Sequence, residues 1–267
     1  MIAHHYVQLP EVRQMTIAEA ETAENMPSYW EVVLRAWEEL DLPEGRRAEI
    51  IEGDITITLL SGLAESMSSA EAKELGVPSH WEVVLRAWEG LDLPEGWRAE
   101  IIEGDIKIMT PPSFEHAHIV TLIHKWLVLE CHRKGSGVDG AEVYQNIGVR
   151  IPLRSGLYIP DLMVLPESVL SSGPEQMVND AILVVEVTSK NTAKKDRKPK
   201  LWGYAHAEIP LYLLVDRWDP DSGRSEATLF SDPENGRYTS SVKVPFGKEI
   251  HLPTPFDSTL DTGEFPS

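Results

Sequence analysis

The sequence has little cysteine and no long apolar run. Cys131 is the single cysteine, so no disulfide can form within the chain, as is usual in a reducing cytoplasm. No apolar stretch approaches the ~20 residues that a membrane helix needs. The first residues also lack the basic segment and apolar core of a signal peptide. We therefore predict a cytoplasmic protein of 267 residues without a membrane-spanning segment.

The chain is also poor in basic residues relative to acidic ones. It carries 24 Lys and Arg against 43 Asp and Glu, a formal net charge of −19 at pH 7. Because phosphate contacts from basic side chains drive nucleic-acid affinity, this balance argues against a tight, metal-free DNA-binding protein. It argues less against a metal-dependent nuclease, whose metal site has to be acidic.

Several common enzyme motifs are absent. The sequence has no Gly-x-Ser-x-Gly, no P-loop and no Gly-x-Gly-x-x-Gly, which argues against the common hydrolase, NTPase and dinucleotide-binding folds. It also lacks the Cys-x-x-Cys and His-x-x-Glu-His spacings of zinc sites. We therefore assign His116, His118 and His124 to a helix surface or core edge.

One block of sequence occurs twice. Residues 27–58 and 78–109 differ at only five positions, which are Tyr29/His80, Glu39/Gly90, Arg46/Trp97, Thr56/Lys107 and Thr58/Met109. Two copies are too few for a solenoid, so the first copy is interpreted as a partial duplication. Since only the second copy continues directly into further structure, we predict an N-terminal extension over 1–77 and a working domain over 78–267.

Each copy predicts a helix followed by a β-hairpin. In the second copy, apolar residues recur at helical spacing after a Pro-Ser start: Trp81, Val84, Leu85 and Trp88. Two short apolar runs then flank Glu103-Gly104-Asp105, a hairpin signal. Further helices are predicted over 114–132 and 194–206, with strands over 143–151, 158–165, 181–188 and 209–216 and hairpins in the C-terminal third. This order predicts an α/β or α+β fold around a mixed sheet.

Two of the apolar strands each contain a carboxylate. Asp161 lies in the run Tyr158-Ile-Pro-Asp-Leu-Met-Val-Leu, and Glu186 lies in the run Ala181-Ile-Leu-Val-Val-Glu-Val-Thr. A charged carboxylate in such surroundings costs roughly several kcal/mol unless it is paired. We expect a divalent metal to meet both acids, with Lys200 close by, because Mg²⁺ prefers carboxylate oxygens and a lysine can orient water or stabilise developing charge.

The segment 190–200 locally reverses the acidic charge of the chain. It contains six basic residues and one acid, which suits either a solvated loop or a docking site for a phosphate backbone. If 194–206 forms a helix, Asp196, Lys200 and Tyr204 share one face at the spacing i, i+4, i+8.

An ordered set of motifs resembles a known family. They are Glu100-Ile-Ile-Glu-Gly-Asp-Ile, Pro111-Pro-Ser-Phe-Glu-His116, Pro160-Asp161, Val184-Val-Glu186-Val-Thr-Ser189, Asp196…Lys200…Tyr204 and Ile209-Pro-Leu-Tyr-Leu-Leu-Val-Asp216. From about Trp81 to the C-terminus, the chain resembles the Uma2 restriction endonuclease family of the PD-(D/E)XK nuclease superfamily. The resemblance implies a restriction-endonuclease-like core, a central mixed sheet flanked by helices, and a divalent-metal site acting on DNA.

The resemblance also implies roles for individual residues. Asp161 matches the motif aspartate, Glu186 the motif acid, and Glu100 an upstream acid that would complete a site for Mg²⁺ or Mn²⁺. His116 matches a further family position, which implies a place near the site. Glu49 is the equivalent of Glu100 in the first copy, and we expect the second copy to occupy the core because its connection to the helix at 114–132 is short.

The lysine position departs from the usual superfamily pattern. The residue two places after the motif acid is Thr188, and Lys200 on the following helix matches the lysine role. Lys190 is a competing candidate, and Pro199 bears on the geometry of the helix turn that carries Lys200.

Two functions follow from these observations. The first is a Mg²⁺-dependent DNA endonuclease in which Asp161, Glu186, Glu100 and Lys200 are catalytic. The second is a catalytically degenerate nuclease fold that acts as a binding or regulatory module. The three acids and the lysine favour the first function, and the net charge and Pro199 favour the second. A homodimer is compatible with both, since nucleases that cut two strands are often symmetric.

Overall fold

A computed structural model describes the protein over eight ranges. They are 46–51, 54–59, 79–93, 95–151, 156–170, 180–188, 197–217 and 223–266. Residues 60–78, Lys190, Asp196 and most of the basic segment 190–200 lie outside the described residues. Within the described ranges, no helix combines the length and the apolar character needed to cross a bilayer.

Four helices occur in these ranges. They are α1 (His80–Glu89), α2 (Phe114–Cys131), α3 (Glu167–Leu170) and α4 (Arg197–His206). The predicted start of α1 is confirmed, because the Ser79 side chain accepts a hydrogen bond from the Glu82 amide and the Glu82 carboxylate accepts one from the Ser79 amide. This reciprocal capping box satisfies amides that have no partner inside the helix.

The described residues form fourteen strands. The first seven are β1 (Arg46–Ile51), β2 (Asp54–Leu59), β3 (Arg98–Ile102), β4 (Asp105–Met109), β5 (Glu142–Tyr144), β6 (Val149–Ile151) and β7 (Gly156–Tyr158). The others are β8 (Leu162–Leu165), β9 (Leu183–Thr188), β10 (Leu211–Asp216), β11 (Glu226–Glu234), β12 (Arg237–Pro245), β13 (Glu249–Leu252) and β14 (Ser258–Asp261). The hairpin predicted around Glu103 and Gly104 is confirmed as β3–β4, and both residues have the positive φ that a tight type I′ turn requires.

These strands build two six-stranded sheets and one separate hairpin. The first sheet has the order β1-β2-β4-β3-β7-β6 and is antiparallel throughout. The second has the order β12-β11-β10-β9-β8-β5, in which only β9 and β10 are parallel. β13 and β14 pair with each other. The fold is therefore mixed α+β as predicted. The second sheet is mixed, whereas the first is antiparallel throughout.

Two predicted strands are each divided between the sheets. The predicted strand 143–151 forms β5 in the second sheet and β6 in the first, and the strand 158–165 forms β7 in the first and β8 in the second. Asn146, with a φ of 59°, turns the chain at the first crossing. Pro160 lies at the second crossing, where its missing N–H cannot interrupt a ladder of hydrogen bonds.

The second sheet is covered on both faces. On one face, alternate residues of β9 share a buried cluster with α2: Leu183, Val185 and Val187 with Ile119, Ile123 and Leu127. On the other face, Val184 shares a cluster with Tyr204 of α4. Because successive side chains of a strand point to opposite faces, Glu186 projects from the same face as Val184, toward α4.

The hairpin of the first copy extends the first sheet. β1 and β2 pair with each other, and β2 also pairs with β4 of the second copy. Ile55 and Ile57 are buried in the same cluster as Ile106 and Ile108, beneath α1. The boundary predicted near residue 77 stays a prediction, while the described strands on either side of it are hydrogen-bonded to each other.

Candidate nuclease site

The candidate site lies where the chain passes from the first sheet to the second. Asp161 immediately precedes β8 at the end of this crossing. One residue after β7, the amide of Ile159 donates a 2.7 Å hydrogen bond to Glu100 Oε1. The crossing therefore connects an acid of the first sheet with an acid at the start of the second.

Lys200 bridges two acids that come from different sheets. Its Nζ donates hydrogen bonds of 3.0 Å to Glu100 Oε1 and 2.9 Å to Glu186 Oε1. Glu100 is fully buried, while Glu186 is 8% and Lys200 7% exposed. Taking charged groups out of water costs roughly several kcal/mol for each ion unless they are paired. One ammonium group therefore compensates two buried carboxylates.

Sharing one cation leaves Glu186 short of compensation. Burial raises the pKa of Glu186, Lys200 lowers it, and the nearby charges of Glu100 and Asp161 raise it again, to about 7. Tyr204 Oη donates a 2.5 Å hydrogen bond to Glu186 Oε1, which holds the carboxyl group in one orientation. Glu186 is thus poised to gain or lose a proton near neutral pH.

Asp161, unlike Glu186, is held in its charged form by its hydrogen-bond partners. Its Oδ1 accepts a 3.2 Å hydrogen bond from Arg98, and its Oδ2 lies 3.1 Å from His116 Nε2 and 2.9 Å from the Val187 amide. Burial alone would raise the pKa of Asp161, but His116, Arg98 and the Val187 amide together lower it to about 2. Asp161 is therefore a carboxylate over the whole physiological range of pH.

Close packing against β7 sets the position of α4. A Cβ on Gly203 would lie 2.4 Å from Cε2 of Tyr158, so only glycine lets the helix approach this ring. The Tyr158 ring also meets Tyr204 edge-on at 5.5 Å, and its hydroxyl donates to the Pro199 carbonyl. Pro199 is the third described residue of α4, and the first turn of a helix tolerates proline.

A cleft of about 870 Å³ opens beside Asp161. Its lining combines aromatic, basic and acidic side chains, among them Trp88, Trp97, Arg98, His116 and Asp161. The Trp88 indole N–H is already used in a 2.6 Å hydrogen bond to the Ala99 carbonyl. Asp161 lines this cleft, whereas Glu100, Glu186 and Lys200 do not.

The acids have the donor chemistry of a site for a hard divalent cation. They offer carboxylate oxygens from three elements, and Glu100 Oε2 is buried without a hydrogen bond although Lys200 Nζ lies 3.0 Å from it. Within the described ranges, no three His, Cys, Asp or Glu side chains are gathered as a ready metal cage. Protein cations already contact the oxygens that a metal would take.

The structure brings the predicted site residues together in two groups. Lys200 contacts Glu100 and Glu186, while Asp161 is held apart by partners from other elements. Arg98 was not predicted, although it stands two residues before Glu100 in the same strand. His116 was expected at a helix surface or core edge, and it is buried at the start of α2 against Asp161.

The remaining candidates lie elsewhere. The Thr188 hydroxyl donates to Asp216, away from the lysine cluster, and Arg197 forms an ion pair with the same aspartate. Glu49 lies in β1, where it pairs with Thr56 of β2. In the order β1-β2-β4-β3, β1 is at the opposite end from β3, the strand that carries Glu100. The hairpin that contacts Lys200 is therefore the one from the second copy.

Two comparisons with known proteins found similar proteins. The family model described as "Uma2: Putative restriction endonuclease" matches residues 85–262. A crystal structure described as a putative nuclease belonging to DUF820, from Anabaena variabilis ATCC 29413, is similar in fold, with a TM-score of 0.51 and 13% sequence identity. The similarity covers 68% of this chain and 96% of that chain. No curated protein sequence matches the chain.

The mixed α+β fold is similar to that of a protein described as a putative nuclease. The chain belongs to the Uma2 family, described as "Putative restriction endonuclease", whose model matches most of the sequence. The resemblance found in the sequence motifs is confirmed.

Proposed function

We propose that the protein is a divalent-metal-dependent DNA endonuclease. The observation that carries this proposal is the contact of Lys200 with both Glu100 and Glu186, beside Asp161, whose charge acts on Glu186. Acids from separate strands and one lysine are the groups that metal-assisted phosphodiester hydrolysis needs. Membership in a family described as restriction endonucleases supports the same reaction.

Asp161, Glu186 and Glu100 would hold Mg²⁺ or Mn²⁺. Such an ion, when bound, polarises a phosphoryl group and makes bound water more acidic. Glu186 binds a cation only after it has lost its proton, and Tyr204 holds its carboxylate in place for that purpose. Lys200, released from one of its two carboxylates, would stabilise the charge that develops on the phosphate.

The cleft beside Asp161 is the proposed approach for DNA. Arg98 lines this cleft and supplies a positive charge that can contact a phosphate group. The net charge of −19 opposes DNA binding elsewhere on the chain, so affinity should be weak unless the metal is present. We also propose that the protein is cytoplasmic and that it forms a homodimer.

A second candidate function is a nuclease fold that binds but does not cut. It is supported by the pairing of Asp161 with Arg98, His116 and the Val187 amide, which occupies both of its oxygens. In a protein that no longer binds a metal, buried acids need hydrogen-bond partners from the protein itself, as Asp161 has here. Such a module would bind no Mg²⁺ or Mn²⁺.

A plasmid-nicking assay with Mg²⁺ or Mn²⁺ separates these functions. The wild type should convert supercoiled plasmid, and Glu186→Ala and Glu100→Ala should reduce the rate by at least a hundredfold. Glu49→Ala is the matched control, because it changes the equivalent acid of the first copy and should leave the rate unchanged. Loss of activity in Glu49→Ala but not in Glu100→Ala would assign the site to the first copy.

Calorimetric titration of the full chain with Mg²⁺ or Mn²⁺ tests the alternative. Binding that is lost in Asp161→Asn supports the endonuclease. Absence of binding in the wild type, together with absence of nicking, would leave the binding module as the function.

A further inference from the structure

Strands β2 and β4 are equivalent segments of the two sequence copies, and they pair with each other. The pairs are Ile55 with Ile108, Thr56 with Lys107, and Ile57 with Ile106. By the alignment of the copies, Ile55 corresponds to Ile106, Thr56 to Lys107, and Ile57 to Ile108. The two strands are therefore antiparallel partners centred on one equivalent position.

This register has twofold symmetry. Exchanging the copies turns the pair of Ile55 with Ile108 into the pair of Ile106 with Ile57, and it leaves the central pair in place. The strands next to this pair, β1 and β3, are equivalent as well and lie at equal distances from the centre. The arrangement β1-β2-β4-β3 is therefore two copies of one hairpin related by a local twofold axis between Thr56 and Lys107.

A twofold antiparallel pairing is the contact that two identical chains make in a symmetric dimer. β2 and β4 each contribute two residues to the core beneath α1, because Ile55, Ile57, Ile106 and Ile108 are each at most 2% exposed. Without β2, the outer edge of β4 would present unpaired backbone groups beside apolar side chains. Such an edge is a template for another strand.

We propose that β4 is a self-complementary pairing edge, occupied in this chain by β2 and open, when β2 leaves, to β4 of a second copy of the chain. The first hairpin thus takes the place that a second subunit's hairpin would hold. This inference rests on strand register alone and is independent of nuclease activity.

One of the five differences between the copies favours the pairing within the chain. A dimer through β4 would place Lys107 opposite its own symmetry mate, and like charges directly opposite each other destabilise a strand pair. The intact chain has Thr56 at that place. The covalent connection between the two hairpins also gives β2 a high effective concentration at β4.

The test uses the full chain with β2 intact or blocked. Thr56→Pro/Ile57→Pro blocks β2, because consecutive prolines remove donors on both sides of the strand. Lys107→Cys then reports a β4–β4 pair, since directly opposed residues lie within the Cα separation that a disulfide spans. Met109→Cys is the register control, because two copies of this residue would lie about 13 Å apart. The native Cys131 is buried and common to all variants.

On mild oxidation, Lys107→Cys should give a disulfide-linked dimer in the blocked chain, at least tenfold more than in the chain with β2 intact. Met109→Cys should give none in either background. Equal crosslinking at the two positions, or no crosslinking in the blocked chain, would overturn the proposal.

Circular dichroism checks that the blocked chain is folded. If it is not, Ile57→Asp replaces the proline pair, since it keeps every backbone donor and expels β2 by placing a charge in the apolar row. The same two cysteine reporters are then applied. Sedimentation should show a rise in dimer with Ile57→Asp, and an unchanged monomer would count against the pairing edge.

Discussion

Asp161 Oδ2 accepts a 2.9 Å hydrogen bond from the amide of Val187, the residue that follows Glu186 in β9. The two acids are thus neighbours at the end of one strand pair. Their environments are nevertheless opposite, with the pKa of Asp161 lowered to about 2 and that of Glu186 raised to about 7. Each acid therefore makes its own contribution to the pH dependence of stability.

Glu186 should destabilise the metal-free protein as pH rises. Its folded pKa of about 7 lies above the ordinary glutamate pKa of 4.5, so the folded state binds more protons between these values. The free energy of unfolding should therefore fall across this window, by roughly 3 kcal/mol relative to Glu186→Gln. Urea unfolding in the presence of EDTA measures the difference, and parallel profiles for the two proteins would contradict it.

Asp161 should act in the acid range with the opposite sign. Its folded pKa of about 2 lies below the ordinary aspartate pKa of 3.8, so its contribution to stability is present above pH 3.8 and is lost as pH falls toward 2. The wild type should lose stability on acidification through this window, and Asp161→Asn should not show that loss. Acid titration followed by circular dichroism checks the result, with Arg98→Met predicted to shift the transition upward.

Removal of Lys200 should be costly because it leaves two buried carboxylates without their cation. Lys200→Met is expected to lower the free energy of unfolding by roughly 3–5 kcal/mol. Combining it with Glu100→Gln should cost less than the sum of the single changes, since one of the uncompensated charges is then gone. Lys198→Met, on an exposed position of the same helix, is the control and should stay within about 0.5 kcal/mol. If the losses of stability in Lys200→Met and Glu100→Gln simply added in the double variant, Lys200 would not be a cation shared by the two carboxylates.

Gly203→Ala should reverse the usual effect of this substitution. In an unconstrained helix, alanine is favoured over glycine by about 1 kcal/mol. Here the new Cβ would lie 2.4 Å from the Tyr158 ring, so we expect destabilisation of about 1–3 kcal/mol. Tyr158→Leu removes the ring, and in that background the cost of Gly203→Ala should shrink. Thermal unfolding of the four proteins measures the coupling.

The sequence predicted the features that depend on neighbouring residues. The start of α1 at Ser79 and the turn at Glu103 and Gly104 follow from local capping and turn chemistry. The acid in β9 was found because an apolar strand with one carboxylate is unusual whatever its partners are. The role of Lys200 was assigned by family resemblance and stays a prediction, while the structure shows its contact with Glu186.

Features that depend on distant pairing were missed. The division of 158–165 into β7 and β8 follows from which sheet each half joins, and Pro160 alone did not reveal it. Arg98, which was not predicted, meets Asp161 from a position 63 residues away. His116 lies 45 residues from Asp161 in sequence, and only the family resemblance implied its place near the site. No local pattern marks these contacts, because they arise only once the two sheets and α2 have packed together.

The local twofold axis between Thr56 and Lys107 has a consequence for how this protein can change. In an assembly of identical subunits, every substitution appears on both sides of the axis, so it changes both strands of the interface at once. Here one gene encodes both sides separately, so a threonine can face a lysine where strict symmetry would impose two identical residues. The outer hairpin is thereby free to diverge, while the inner one stays constrained by the acid that it presents to Lys200.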